Sequence, residues 1–104
     1  MMLMADEFSA LISCQSKPSL DVIAEVIGAN KTYICERKSA DEIAFRFSDH
    51  AGRNDWPEDF ALNYKGSSLI LTIHQATKHQ RERIVGDIES AFGSRSISVE
   101  FQAI

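Results

Sequence analysis

Residues 60–74 read FALNYKGSSLILTIH, and their pattern decides the fold class. Phe60, Leu62 and Tyr64 alternate with Ala61 and Asn63, while Leu69, Leu71 and Ile73 alternate with Ser68, Ile70, Thr72 and His74. Period two is the signature of a strand with one face buried. Lys65-Gly66 between the two runs is turn chemistry, so the stretch predicts an antiparallel hairpin. Working upstream, Ile43, Phe45 and Phe47 alternate with Glu42, Ala44 and Arg46, and Tyr33 and Cys35 alternate with Thr32, Ile34 and Glu36. Ser39-Ala40-Asp41 supplies the turn between them, which extends the hairpin to a meander.

Downstream, the period changes to helical. In residues 77–92, TKHQRERIVGDIESAF, Ile84, Val85, Ile88, Ala91 and Phe92 form one apolar stripe. Thr77 and Gln80 have the spacing of a capping box at its start, and Arg83 and Asp87 are placed to pair along its flank. Gly93 stands where a left-handed cap would end the helix. Gly86, in the middle, is expected to mark close packing of helix on sheet. A second helix is predicted over residues 19–27, with Pro18 and Ser19 at its start, Leu20, Ile23, Ala24 and Ile27 on its inner stripe, and Gly28 closing it.

The C-terminal run ISVEFQAI alternates again, with Ile97, Val99 and Phe101 on one face. Residues 5–15 carry two patterns. Phe8, Ala10, Ile12 and Cys14 fit a strand, whereas Leu3, Met4, Phe8, Leu11 and Ile12 fit a helical stripe, and the Ala, Leu and Glu content tips the reading to helix. The expected architecture is a single α+β domain over residues 1–104. It has an antiparallel sheet of about five strands, a meander plus a C-terminal strand, with two or three helices on one face. The other face would show Glu36, Arg46, Asn63, Thr72, Glu100 and Gln102 to water, or to a docking partner.

Composition narrows function. The chain has 104 residues, 44% hydrophobic and 25% charged, which suits one globular domain and not a disordered chain. Eleven basic against fifteen acidic residues give a net charge of −4, the wrong sign for general nucleic-acid binding. Cys14 and Cys35 show no disulfide or metal spacing and are expected to be inert buried thiols. The opening MMLMADEF lacks a signal-peptide pattern, and no apolar run approaches a membrane span, so the expected compartment is the cytoplasm. No phosphate-cradling glycine motif, nucleophile elbow or zinc-ligand spacing is present, and neither a cofactor nor a metal is expected.

The richest polar stretch is residues 48–60, SDHAGRNDWPEDF. Trp56-Pro57 offers a rigid apolar anchor of the kind found at interface hot spots, ringed by Asp49, Asp55, Glu58 and Asp59. Acids around an aromatic anchor suit a basic protein partner, although the same residues would also serve a plain soluble turn with Trp56 as a core lid. Lys78, His79 and Arg81, at the start of the later helix, form a candidate anion site against the plainer reading of a solvated helix face. His50, His74 and His79 are the candidates for acid–base chemistry or ligand binding, with Asp55 or Glu58 as partners of His50. An RNA contact would draw on Lys78, Arg81 and Arg83.

A small acidic α+β domain with an acid-rich aromatic loop and no catalytic motif resembles the immunity proteins of bacterial contact-dependent and polymorphic toxin systems. That resemblance implies a non-enzymatic antitoxin function, in which the protein binds a cognate toxin, commonly a basic nuclease, and occludes its active site. It rests on size, charge and organisation over the whole chain, and no family residues carry over by position.

Overall fold

Strand β1, Glu7–Cys14, lies inside the sheet between two later strands, and this one placement organises the molecule. The computed structural model describes residues 7–14, 16–49, 57–74 and 76–104. In chain order β1 is followed by α1 (Leu20–Gly28), β2 (Tyr33–Lys38), β3 (Glu42–Phe47), β4 (Phe60–Lys65), β5 (Ser68–His74), α2 (Lys78–Gly93) and β6 (Val99–Ala103). The six strands form one antiparallel sheet in the order β2-β3-β4-β5-β1-β6. The sheet is thus one strand larger than the sequence suggests, with two helices. Strands β5 and β6 run parallel with β1 between them, a split β-α-β arrangement closed by α2.

The helical reading of residues 5–15 is overturned by β1. Its Phe8, Ala10 and Ile12 face Ile73, Leu71 and Leu69 on β5, while Ile12 and Cys14 face Phe101 and Val99 on β6. Two neighbours, both distant in sequence, satisfy the backbone of β1 on each side, and such pairing outweighs local helix propensity.

Elsewhere the periodicities are realised. Ile43, Phe45, Phe47, Phe60, Leu62, Leu69, Leu71 and Ile73 are buried on one face with Tyr33. Ile23, Val26 and Ile27 of α1 and Ile84, Ile88 and Phe92 of α2 complete the same core. Phe45 stacks on Phe60 and Tyr33 meets Phe60 edge-on, both with centroids 5.4 Å apart, in the offset and T-shaped geometries that aromatic quadrupoles favour. Ser19 caps α1 by accepting from Val22 N at 3.2 Å. The capping box of α2 is complete, with Gln80 N donating to Thr77 Oγ1 at 3.1 Å and Thr77 N to Gln80 Oε1 at 2.9 Å. Gly66, at φ +63°, takes the first position of the β4–β5 turn, where a tight hairpin requires a positive φ.

Three local expectations are corrected. Gly93 remains within α2, and the left-handed residue after it is Ser96 at φ 59°. Gly86 is exposed, and a Cβ there would meet nothing within 4 Å, so it marks no close packing. Gly86→Ala is therefore expected to stabilise the fold by about 0.5–1 kcal/mol, read as a higher urea midpoint with an unchanged slope. Finally, Cys35 is exposed and Cys14 only half-buried. A β-bulge between Cys35 and Arg37 shifts the register at this sheet edge, beside the exposed Cys35.

Candidate functional site

The segment between β3 and β4 springs from a base that two buried carboxylates hold shut. Asp59 is 1% exposed. Its Oδ2 accepts from Phe47 N at 2.6 Å, its N donates to Phe45 O at 2.8 Å, and its O accepts from His74 N at 2.9 Å. One residue thereby ties the end of β3, the start of β4 and the end of β5 together.

Glu58, 3% exposed, lies on the sheet face opposite the helices. Arg37 reaches it with a two-pronged contact, Nη1 to Oε1 at 3.0 Å and Nη2 to Oε2 at 3.2 Å, and Nη2 also reaches Glu42 Oε1 at 3.0 Å. His74 Nε2 approaches Glu58 Oε2 at 3.5 Å, and His74 Nδ1 approaches Glu7 Oε2 at 3.3 Å. Burial alone would push the Glu58 carboxyl up. The hydrogen bonds and charge of Arg37, with His74 adding to them, prevail and hold it below the ordinary carboxylate value. Conversely, the hydrogen bonds to Glu58 and Glu42 raise the Arg37 guanidinium above its usual value. Arg46 Nε to Glu36 Oε1 at 2.9 Å extends the charged lattice toward the β2 edge. Ala44 and Ala61, expected on the wet side, are buried within this half of the face.

These positions change the meaning of the acidic stretch. Asp49 is exposed, as a contact residue must be. Glu58 and Asp59 are not: both are turned inward and engaged by the chain itself, so neither belongs to a partner-facing rim. Asp55 and Trp56, like His50, lie outside the described residues. No local pattern marks Glu58 for burial. Its partner Arg37 is 21 positions away and becomes a neighbour only because β2 and β4 flank β3.

The candidate anion site divides. Lys78 and His79 are exposed on the first turn of α2, whereas Arg81 lies over the Phe8 ring, 4.8 Å from its centroid. A 130 Å3 hollow is lined by His79 and Arg83 together with Asp49, so an acid shares the space beside the Arg83 guanidinium. Arg83 also approaches Asp87 at 3.8 Å, and Asp87 accepts from the Tyr33 hydroxyl. Burial, helped by Asp87, pushes the Tyr33 phenol above its usual value and ties β2 to α2. His74 and His79 therefore sit apart, one buried on the far face of the sheet and one on the helix side.

A larger cleft of 640 Å3 opens at the other end of the sheet, beside the start of α1. Its cations are matched within the chain. Lys17 Nζ donates to Gly66 O at 3.2 Å and lies 4.8 Å from the Tyr64 ring centroid, while Lys38 pairs with Asp21. Tyr64 donates its hydroxyl to Pro18 O at 2.6 Å, which closes the cleft floor. Among the described residues, no group of three or more His, Cys, Asp or Glu side chains is arranged to hold a metal ion. Nor is any described helix long and apolar enough to cross a membrane.

Searches against protein-family models, curated proteins and solved structures each return no match. The fold defines the class of the protein, a six-stranded antiparallel α+β domain with both helices on one face.

Proposed function

We propose that this chain is a non-enzymatic binding protein of the toxin-immunity kind, which occludes the basic active-site cleft of a cognate toxin with the segment between β3 and β4. The observation that supports this most is the base of that segment. Asp59 and the Glu58–Arg37 pair tie the residues that flank the segment, Phe47 on one side and Glu58–Asp59 on the other, to the sheet. A clamped base lowers the ordering cost of association. The net charge of −4 favours encounter with a basic surface. Asp49, Asp55 and Trp56 are the proposed contact residues, with Glu58 and Asp59 as their structural support.

The test is co-expression with the toxic product of an adjacent reading frame, scored by cell growth and by complex formation. Protection and a complex are expected, and Asp49→Lys combined with Asp55→Lys should weaken binding at least tenfold with a loss of salt dependence. Absence of protection would overturn the function, and undiminished binding by the double variant would remove the loop from the interface.

A second reading, an acid–base or ligand module, draws on His74 between Glu7 and Glu58. At 6% exposure His74 offers a substrate little access, which favours the binding reading. An RNA-contacting role finds less support still, because Arg81 and Arg83 are engaged by Phe8 and Asp87.

A further inference from the structure

The two edges of the sheet are unlike. Strand β2 carries the bulge at Cys35–Arg37 and ends in Arg37 and Lys38, devices that blunt an edge against further pairing. Strand β6, VEFQA, has no bulge, proline or basic residue, and among the described residues no strand lies beyond it.

The backbone phase of β6 is fixed by its inner neighbour. Ile104 N donates to Ser9 O at 3.0 Å, which makes Ser9–Ile104 a hydrogen-bonded pair of the β1–β6 ladder. Such pairs alternate, so Leu11–Gln102 and Ser13–Glu100 are hydrogen-bonded as well. Val99, Phe101 and Ala103 then turn their N–H and C=O groups outward, in a row spaced to pair with another strand. On the helix side, Val99 and Phe101 are half-buried apolar side chains at the rim of the core.

We propose that β6 pairs antiparallel with β6 of a second copy of this chain, in a register centred on Phe101. The phase allows a two-fold centred on any residue of β6, and three of these centres, Glu100, Phe101 and Gln102, pair more than one residue of the strand. Centring on Glu100 would set two glutamates directly opposite, and centring on Gln102 would, within β6, match only Phe101 with Ala103 among the outward residues. Centring on Phe101 matches all three outward residues, Phe101 with Phe101 and Val99 with Ala103. It also brings apolar side chains together on the helix side and faces Glu100 with the second copy's Gln102. The result is a closed, isologous dimer with one continuous twelve-stranded sheet. This goes beyond the toxin-binding proposal and does not depend on it.

Sedimentation equilibrium and concentration-dependent amide exchange on the whole chain test the dimer. A dimer is expected, with Val99, Phe101 and Ala103 amides gaining protection as it forms. Gln102→Glu, at an exposed position, sets two like-charged cross-strand pairs across the two-fold and should weaken the dimer roughly tenfold without altering circular dichroism. Adding Glu100→Lys converts both into opposite-charge pairs and should restore it. A chain that stays monomeric into the millimolar range, a dimer indifferent to Gln102→Glu, or protection that bypasses β6 would each overturn the proposal.

Discussion

Arg37→Ala is expected to destabilise the domain by about 3 kcal/mol at neutral pH, because it strands a carboxylate that is almost wholly out of water. Glu58 is 3% exposed, and Arg37 supplies both of its short side-chain bonds. The cost falls at the low end of the range for broken buried pairs, since the Arg37 side chain is itself 43% exposed. The pH dependence follows from the direction of the shift. In the intact protein the Glu58 carboxyl titrates below its unfolded value of about 4.3. Its stabilisation is therefore complete above that value and is lost as pH falls through the lower folded one. Without Arg37, burial dominates and moves the carboxyl above the unfolded value, so the variant recovers stability as pH falls. Urea unfolding at pH 7 and at acid pH should show the gap between the two proteins narrowing on acidification. A gap that is constant with pH would mean that Arg37 acts through packing instead of charge.

Asp59→Ala is expected to cost about 2–3 kcal/mol and to loosen one end of the sheet. The substitution removes the charged acceptor of Phe47 N, whose 2.6 Å bond joins the end of β3 to the start of β4. Hydrogen bonds to charged groups contribute about 1.5–3 kcal/mol, and a buried N–H left unmade adds its desolvation cost. Asp59→Asn keeps an acceptor of similar reach and should recover part of the loss. Amide exchange provides the local readout, with Phe47 and its neighbours losing protection while the α1 amides keep theirs. Uniform loss throughout the domain would argue that Asp59 supports global stability and not the base of the loop. If the clamped segment is the toxin-contact surface, Asp59→Ala should also weaken binding without touching the partner.

Much of this architecture is legible in the chain as it stands. The meander from Tyr33 to Ile73, the capping box at Thr77 and Gln80, and the apolar stripes of both helices follow from spacing over a few residues. The residues called inward on β3, β4 and β5 are buried, apart from Tyr64, which stays half-exposed. The acidic stretch was legible only as a concentration of charge. Sequence shows that four acids gather within eleven residues, Asp49 to Asp59, but not which of them face water. Asp49 faces out, while Glu58 and Asp59 face in, because their partners Arg37 and the Phe47 amide arrive from other strands.

By itself, then, the sequence determined what depends on near neighbours: periodicity, caps, turns and the sign of the surface charge. Only the tertiary structure decided what depends on distant ones. Residues 5–15 carried both patterns and composition tipped the reading to helix, but pairing with β5 and β6 on both sides makes residues 7–14 a strand. The same applies to Glu58. A carboxylate is buried or exposed according to whether a guanidinium meets it, and a separation of 21 residues is closed by the sheet and by no local rule.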